Sequence, residues 1–234
     1  MRQELKKLNL GCGPGKHAKD WIHLDGSWNA RLAKHPRIRN ILKTFHILPN
    51  ALVDMPWAQD IFIHDLRKPL PFDPNSMEAI YSSHTLEHLY LEEAKRLLKE
   101  CYRVLKPGGI LRIVVPDLKA MVLEYMDEQS HSYPVNDTYN DTRADRFNVR
   151  LNFRLPTSAP INIFHRIYTA MTDFHTHKWM YDAESLTYYF QKSNFINIQE
   201  MKCYESRIKG IDAVETELRI LNGAGLCIEG LKPP

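Results

Sequence analysis

Residues 7–15, KLNLGCGPG, decide the fold, because a short apolar strand runs there directly into a loop with three glycines. Glycine lets the backbone turn sharply and approach a ligand closely, since it carries no Cβ. Alone, such a loop is a weak indication of a nucleotide site, because a plain tight turn would have the same sequence. The G-x-G-x-x-G fingerprint of dinucleotide sites is absent because position 16 is Lys, and no G-x-x-x-x-G-K-[ST] phosphate loop occurs. The spacing excludes these two kinds of nucleotide site.

Strand and helix signals alternate after this loop. Residues 79–81 form a buried apolar run, residues 91–105 carry the i, i+3, i+4, i+7 stripe of an amphipathic helix, and residues 110–115 form another apolar run. The Pro-Gly-Gly at 107–109 is expected to end the helix. Strand, helix and strand in this order make a βαβ unit, which builds parallel sheets with helices on both faces.

Further elements continue the alternation to the C-terminus. We predict strands at residues 21–25, 61–65, 196–201 and 226–231, and a helix capped by Asp182. The pattern predicts an α/β fold with a doubly wound, mostly parallel sheet.

Residues 127–180 interrupt the alternation. They are rich in polar and aromatic residues without clear periodicity, and a stretch of this length inside a domain is usually a lid or a binding insertion. Its large apolar side chains argue against a disordered loop. We therefore expect one domain over residues 1–234, with 127–180 as an irregular lid.

The composition narrows the functional classes. Thirty-one Lys and Arg against 28 Asp and Glu give a charge of +3, too small to indicate nucleic acid by itself. No apolar run approaches the ~20 residues that cross a bilayer, and residues 1–7 do not resemble a secretory signal. The four cysteines form no C-x-x-C pair, so we expect no structural zinc site and no disulfide framework. A cytoplasmic location fits these features.

Two aspartates close predicted strands downstream of the glycine loop. Asp25 ends the second strand and Asp65 the third. Side chains at the carboxyl ends of parallel strands point into the ligand crevice. A carboxylate after the second strand can accept both ribose hydroxyls, and one after the third can accept the adenine amine. Each aspartate alone is more typical of a turn cap, but the two together favour a nucleoside site.

Five motifs, in order, resemble the class I S-adenosylmethionine-dependent methyltransferases, most closely the type-11-like bacterial branch. They are LNLGCGPG at 8–15, HLD at 23–25, HDLRKPLPF at 64–72, SSHTLEHL at 82–89 and RVLKPGG at 103–109. The resemblance implies a seven-stranded, Rossmann-like sheet with S-adenosylmethionine across the strand ends. It implies that Gly11, Cys12 and Gly13 contact the methionine part, Asp25 the ribose, Asp65 and Leu66 the adenine, and the backbone of Ser82 and Ser83 the region of the reactive methyl.

Two features depart from the family pattern. Asn9 stands where the wider superfamily usually has Asp or Glu. Only the eleven residues 11–21 link the first two strands, so the first crossover is shortened and its helix must be very short.

Histidines are the candidate catalysts. Transfer of a methyl group from a sulfonium is an in-line displacement that depends on positioning, and a hydroxyl acceptor also needs a general base, for which histidine is suited near neutral pH. His84 follows the predicted fourth strand directly, and His88 lies one helical turn later. His88 is equally typical of a packed or capping histidine beside Glu87. His175 and His177 have no third ligand at a suitable spacing, so we expect no metal site.

The sequence thus predicts a biosynthetic enzyme that transfers methyl to an oxygen or nitrogen of a small molecule, sugar or peptide, with 127–180 on the acceptor side. An RNA methyltransferase is the alternative, because residues 27–53 hold five basic residues and no acid, although a solvated basic helix explains them more simply. A catalytically silent methyltransferase-like protein is a third interpretation.

The lid contains four arginines that suit a carboxylate or phosphate of the acceptor, or that only make the surface soluble: Arg143, Arg146, Arg150 and Arg154.

Overall fold

One sheet of seven strands organises the chain. The structure is a computed structural model, and it describes residues 6–14, 17–44, 57–58, 60–127, 142–152, 176–217 and 225–234. The strands are β1 (Lys7–Leu10), β2 (Trp21–Asp25), β3 (Phe62–Ile63), β4 (Met77–Ser83), β5 (Leu105–Pro116), β6 (Ile196–Glu200) and β7 (Gly225–Leu231). Their order is β3-β2-β1-β4-β5-β7-β6. The first five pair in parallel, and β7 runs antiparallel to both neighbours.

Helices connect these strands. They are α1 (Trp28–Ala33), α2 (Pro36–Thr44), α3 (Leu91–Val104), α4 (Leu118–Met126), α5 (Arg143–Leu151) and α6 (Ala183–Lys192), with 3₁₀ turns at Leu86–His88 and Ile211–Ala213. Within the described ranges, none of the helices combines the length and the apolarity that a membrane crossing requires. The doubly wound, mostly parallel seven-stranded sheet expected from the sequence is confirmed.

The main core lies where α3 and α6 cover the sheet. The predicted stripe of α3 is buried, and Asp182 caps α6 through the Ser185 N–H at 2.8 Å, as its position predicted. Leu186 and Phe190 of α6 are fully buried in the same cluster as the α3 stripe. Burial of these side chains fixes the helices on the sheet.

Three predicted strands have other bounds in the structure. β4 covers Met77–Ser83 instead of residues 79–81. β3 covers only Phe62–Ile63, because the chain turns at Asp65, whose carboxylate accepts the Arg67 N–H at 3.0 Å. β5 begins at Leu105 instead of residue 110, so the Pro-Gly-Gly at 107–109 lies inside the strand rather than ending α3. A shift of register between Met77 and Ala79 of β4 accommodates these extra residues.

The first crossover and the lid region also differ from an ordinary alternation. The described residues between β1 and β2 form turns and no helix, in agreement with the predicted short crossover.

Part of the lid, which was expected to be irregular, forms the helix α5. Thr142 caps this helix by accepting the Asp145 N–H, and Phe147 packs on Tyr125 of α4. Residues 128–141 and 153–175 of the lid lie outside the described residues.

A buried arginine joins the C-terminal strands to the loop before β7. Arg112 of β5 is fully buried, and its Nε and Nη2 donate to Glu215 at 2.8 Å each. Its Nη1 donates to Glu229 of β7 at 2.9 Å, and the remaining N–H groups donate to the carbonyls of Glu205 and Lys202. All five guanidinium donors are therefore used, and the 202–215 loop is held against the sheet.

We expect Arg112→Met to lower the free energy of unfolding by about 3–5 kcal/mol, because Glu215 loses its cation while it remains buried. Urea denaturation followed by circular dichroism measures the change. Glu92→Gln is the matched control, since Glu92 pairs with Lys95 on the exposed surface, and it should leave the unfolding midpoint unchanged. Equal midpoints for wild type and Arg112→Met would contradict a structural role for the buried network.

Candidate active site

The glycine loop turns from the end of β1 towards the end of β2. The N–H groups of Gly11 and Cys12 donate to the Leu24 carbonyl at 2.8 and 3.1 Å. Gly11 and Gly13 both have positive φ, +65° and +64°. A Cβ on Gly11 would lie 2.0 Å from Oγ1 of Thr85, so this glycine allows a close approach to the segment after β4.

Asp25 fixes the loop from the end of β2. Its side chain is buried, with Oδ2 accepting the Gly13 N–H at 3.0 Å and Oδ1 accepting the Ser27 N–H at 2.8 Å. An ionised carboxylate offers about four acceptor positions, so two further donors can still be bound. The acceptor chemistry of Asp25 fits the hydroxyls of a ribose.

The end of β3 lies directly against the end of β2. The His64 N–H donates to the Asp25 carbonyl at 3.2 Å, and a Cβ on Gly26 would lie 2.5 Å from the His64 carbonyl oxygen. Asp65 follows and forms a bidentate pair with Arg67, at 2.9 and 2.8 Å. The hydrogen bonds from Arg67 lower the pKa of Asp65 to about 2. The Leu66 side chain is buried in the core, so only its backbone can contribute to the site.

The end of β4 completes the row of strand ends. Ser82 pairs with Leu10 in the parallel register, and its Oγ donates to the Leu10 carbonyl at 3.1 Å. Ser83 pairs with Val114 of β5, and both serines are buried. The structure thus brings the backbone at Ser82 and Ser83 beside the glycine loop, while the Ser82 hydroxyl is used to join two strands.

His84 leaves β4 in a left-handed conformation and contacts a buried carboxylate. Its φ is +49°, its N–H donates to the Val114 carbonyl at 2.9 Å, and its Nδ1 lies 3.2 Å from Oε1 of Glu87. Glu87 is fully buried. Burial raises the pKa of Glu87, but the hydrogen bond from His84 and the neighbouring His84 and His88 rings outweigh it and lower the pKa below its usual value. An ionised Glu87 orients the His84 ring.

Residues 176–179, at the end of the predicted lid, join the same place. The Glu87 carbonyl accepts the N–H groups of Lys178 and Trp179 at 2.6 and 3.2 Å. Nδ1 of His88 lies 3.1 Å from the Thr176 carbonyl, and the His88 and His177 rings are 5.0 Å apart. Burial lowers the pKa of His177. The sequence spacing offered His177 no third ligand, whereas the fold places Glu87 and His88 beside it, a contact between segments that no local pattern reveals.

Histidines also hold the first crossover. His23 is buried, with Nδ1 3.2 Å from the Asn9 amide nitrogen and Nε2 3.0 Å from the Ala18 carbonyl. Its ring stacks on that of His17 with centroids 4.2 Å apart, and Nε2 of His17 lies 3.3 Å from the Gly13 carbonyl. Burial lowers the pKa of His23. No sequence motif indicated this cluster, which also contains Cys12.

Two basic groups that the sequence offered as alternative acceptor contacts occupy different places. The segment 27–53 forms α1 and α2, on which Arg31 and Arg37 are exposed, and its residues 45–53 lie outside the described residues. Three lid arginines line a small cavity between α4 and α5, and Arg150 pairs with Glu124 there: Arg143, Arg146 and Arg150. Arg154 lies outside the described residues.

Comparison with known proteins identifies the class to which this site belongs. Residues 8–113 match the family described as a methyltransferase domain, a range that contains all four strand ends of the site. Residues 8–113 therefore belong to the type-11 methyltransferase-domain family of class I, the S-adenosylmethionine-dependent methyltransferases, as the sequence motifs predicted.

Individual relatives are more distant. A malonyl-[acyl-carrier protein] O-methyltransferase of Coxiella burnetii is 36% identical over 74 residues, which are 30% of this chain and 26% of that protein. An uncharacterized 37.1 kDa protein from a transposon of Streptomyces fradiae is 26% identical over 165 residues, 66% of this chain and 45% of that protein. The chain thus spans less than half the length of these two curated relatives. A solved S-adenosylmethionine-dependent methyltransferase from Archaeoglobus fulgidus aligns with a TM-score of 0.46 at 15% identity, over 98% of this chain and 87% of that one.

We expect Gly11→Ala to destabilise the protein more than Gly108→Ala. Both glycines have positive φ, so either substitution adds about 1–2 kcal/mol of backbone strain. Only at Gly11 would the new Cβ meet Thr85, and no described atom lies within 4 Å at Gly108, so overpacking adds about 1–3 kcal/mol at Gly11 alone. Urea denaturation measures both. Thr85→Ala in the Gly11→Ala background should recover part of the difference, and no recovery would contradict the contact.

Proposed function

We propose that the chain catalyses S-adenosylmethionine-dependent methyl transfer to an oxygen or nitrogen of a small molecule, sugar or peptide. The observation that carries this proposal is the buried Asp25 carboxylate, bonded to the Gly13 N–H at the end of β2 within the segment that matches the methyltransferase family. This acidic group has the position and the spare acceptor capacity that a ribose requires.

The cofactor supplies an electrophilic methyl group on a positively charged sulfur. The backbone of Gly11, Cys12 and Gly13 would hold its methionine part, and Asp25 its ribose hydroxyls. Asp65 would accept from the adenine amine while it remains paired with Arg67, because three donors occupy its oxygens and one acceptor position is left. The main chain at Leu66, Ser82 and Ser83 would complete the contacts.

His84 is the group that we assign to proton removal from the acceptor. Because Nδ1 donates to the Glu87 carboxylate, the lone pair of the ring lies on Nε2, which is the atom that would take the proton. Glu87 holds the ring orientation and stabilises the imidazolium that forms. His88 also donates from Nδ1, to the Thr176 carbonyl, but its ring packs against that of His177 with centroids 5.0 Å apart, so we assign the role to His84.

An oxygen acceptor is favoured over a nitrogen acceptor by this arrangement, because a hydroxyl must lose its proton as the new bond forms. The segment similarity to a malonyl-[acyl-carrier protein] O-methyltransferase is in keeping with oxygen as the acceptor atom. The position of residues 176–179 on the Glu87 carbonyl supports the lid as the element that borders the acceptor.

We expect Asp25→Ala to weaken S-adenosylmethionine binding by about 1–3 kcal/mol, because the ribose hydroxyls lose their acceptor. Isothermal titration calorimetry measures the affinity. Asp20→Ala is the matched control. Asp20 lies before the N-terminal end of β2, at the opposite end of the strand from Asp25, and pairs with Lys7 on the surface. Its substitution should leave the affinity unchanged. Equal affinities for both variants would exclude the site. Asp25→Asn keeps the side-chain volume, and its thermal unfolding shows whether a variant at this position is still folded. Weaker cofactor binding by a folded Asp25→Asn then reports loss of binding and not loss of folding.

We expect His84→Gln to reduce methyl transfer by about 10²–10⁴-fold while cofactor affinity is retained, because a general base contributes this much. The measurement uses S-adenosylmethionine labelled in its methyl group, with fractionated small molecules, sugars, peptides and RNA as acceptors. His35→Gln, on the exposed link between α1 and α2, is the control.

The same labelling decides between the three functions. Label in small molecules, sugars or peptides supports the proposal, whereas label in RNA assigns the acceptor to RNA and gives a role to segment 27–53. Cofactor binding without transfer to any fraction would leave the catalytically silent protein as the explanation. Full transfer by His84→Gln would remove His84 as the base.

A further inference from the structure

We propose that Glu87, His88 and His177 form a binding site for a divalent transition-metal ion. One ligand atom from each of these three side chains lies within 4.8 Å of the other two. Glu87 and His88 belong to the 3₁₀ turn after β4, and His177 follows the lid. The inference does not rest on the proposed function, because metal binding is measurable without cofactor or acceptor.

Glu87 supplies the strongest argument for a cation. Its side chain is fully buried, and Oε1 is bonded to His84. Oε2 is buried and has no hydrogen-bond partner among the residues that the structure describes. A buried carboxylate oxygen without a partner is costly, and native structures usually satisfy such atoms with a donor, a water or an ion. The neighbouring imidazoles make an ion the appropriate partner.

His177 presents a second buried atom of this kind. Its Nδ1 is buried without a partner in the described part of the chain, and its ring contacts the His88 ring with centroids 5.0 Å apart. A buried imidazole nitrogen without a hydrogen bond is costly, and a metal ion is a partner that would satisfy it.

His88 is oriented by a hydrogen bond to the backbone. Its Nδ1 donates to the Thr176 carbonyl at 3.1 Å, so the lone pair lies on Nε2. Ligating histidines in proteins almost always donate their other N–H to a carbonyl or carboxylate, and ligating carboxylates are themselves hydrogen-bonded. Two of the three side chains meet this requirement, His88 through Thr176 and Glu87 through His84.

Two imidazoles and one carboxylate define the class of ion. This set suits zinc and its neighbours among the divalent transition metals, with a further position open to water, whereas calcium and magnesium prefer oxygen ligands alone. Zinc bonds of about 2.0–2.2 Å place ligand atoms roughly 3.3 Å apart, so the cluster must contract on binding. Rotation of the side chains achieves this contraction, and the ion then ties the lid end to the turn after β4.

The second group with ligand chemistry, Cys12, His17 and His23, is the rival site. Both nitrogens of His23 are already used, by the Asn9 amide and the Ala18 carbonyl, so its ring offers no lone pair. Binding there would require these two hydrogen bonds to break. The thiol of Cys12 makes this site spectroscopically distinct from the first, which provides an internal control.

The test titrates the full-length chain, freed of metal by a chelator, with Co²⁺ and then Zn²⁺ in the absence of cofactor. We expect saturation at one ion per chain, visible Co²⁺ bands of a nitrogen and oxygen site without a thiolate charge-transfer band, and displacement by Zn²⁺. His177→Ala and His88→Ala should each weaken binding at least about tenfold, since even outer partners of a metal ligand contribute this much. Cys12→Ser should bind with unchanged affinity.

Three results would overturn the proposal: no saturable binding by the wild type, a thiolate band that disappears in Cys12→Ser, or unchanged affinity in His177→Ala. Glu87→Gln keeps the side-chain volume and decides the question if a histidine variant does not fold. Cofactor affinity of the same metal-free preparation reports separately on the proposed function, so failure of one proposal is distinguishable from failure of the other.

Discussion

The Asp25 carboxylate and its backbone join three strand ends, and the geometry of the site depends on this junction. One oxygen accepts from the glycine loop after β1, the other from the start of α1, and the carbonyl accepts from His64 after β3. The glycines that let the loop turn also leave it conformationally free, so the loop depends on hydrogen bonds to fix it. The Leu24 carbonyl and the His17 ring supply some of these bonds, and Asp25 adds one through its carboxylate. The remaining acceptor positions of Asp25 can bind a ligand at the same time.

Glu87 joins different segments of the chain after β4, in the way that Asp25 joins them after β2. Its carbonyl receives the end of the lid, one carboxylate oxygen orients His84, and the other lies in the histidine cluster. The residue joins the turn after β4 to Lys178 and Trp179, which lie far later in the chain. The part of the site to which we assign the acceptor is therefore built on a long-range contact, whereas the part to which we assign the cofactor is built from neighbouring strand ends.

This difference explains what the sequence could predict. The strands β1 and β2, the stripe of α3 and the cap of α6 follow from local spacing, and the structure has them where the pattern placed them. The early start of β5 was missed because proline and glycine usually end an element. Here β5 pairs with β4 on both sides of them, at Leu105 and Ile110, and Gly108 and Gly109 bond to the main chain of Lys232. Arg112 looks like any strand residue until Glu215 and Glu229 are folded around it. Glu87 likewise looks like a surface acid in a short turn.

The departure at Asn9 follows from the missing first helix. With no helix in the described part of the crossover, His17 and His23 hold it instead, stacked on each other and bonded to the carbonyls of Gly13 and Ala18. Because His23 donates from Nε2, its Nδ1 must accept, and the Asn9 amide donates to it. A carboxylate at position 9 offers no donor and would require a charged His23 beside His17, against the effect of burial on its pKa. The Asn9 amide and the short crossover therefore belong together. The His23 ring, bonded to Asn9, supports the glycine loop in the place of a turn of helix.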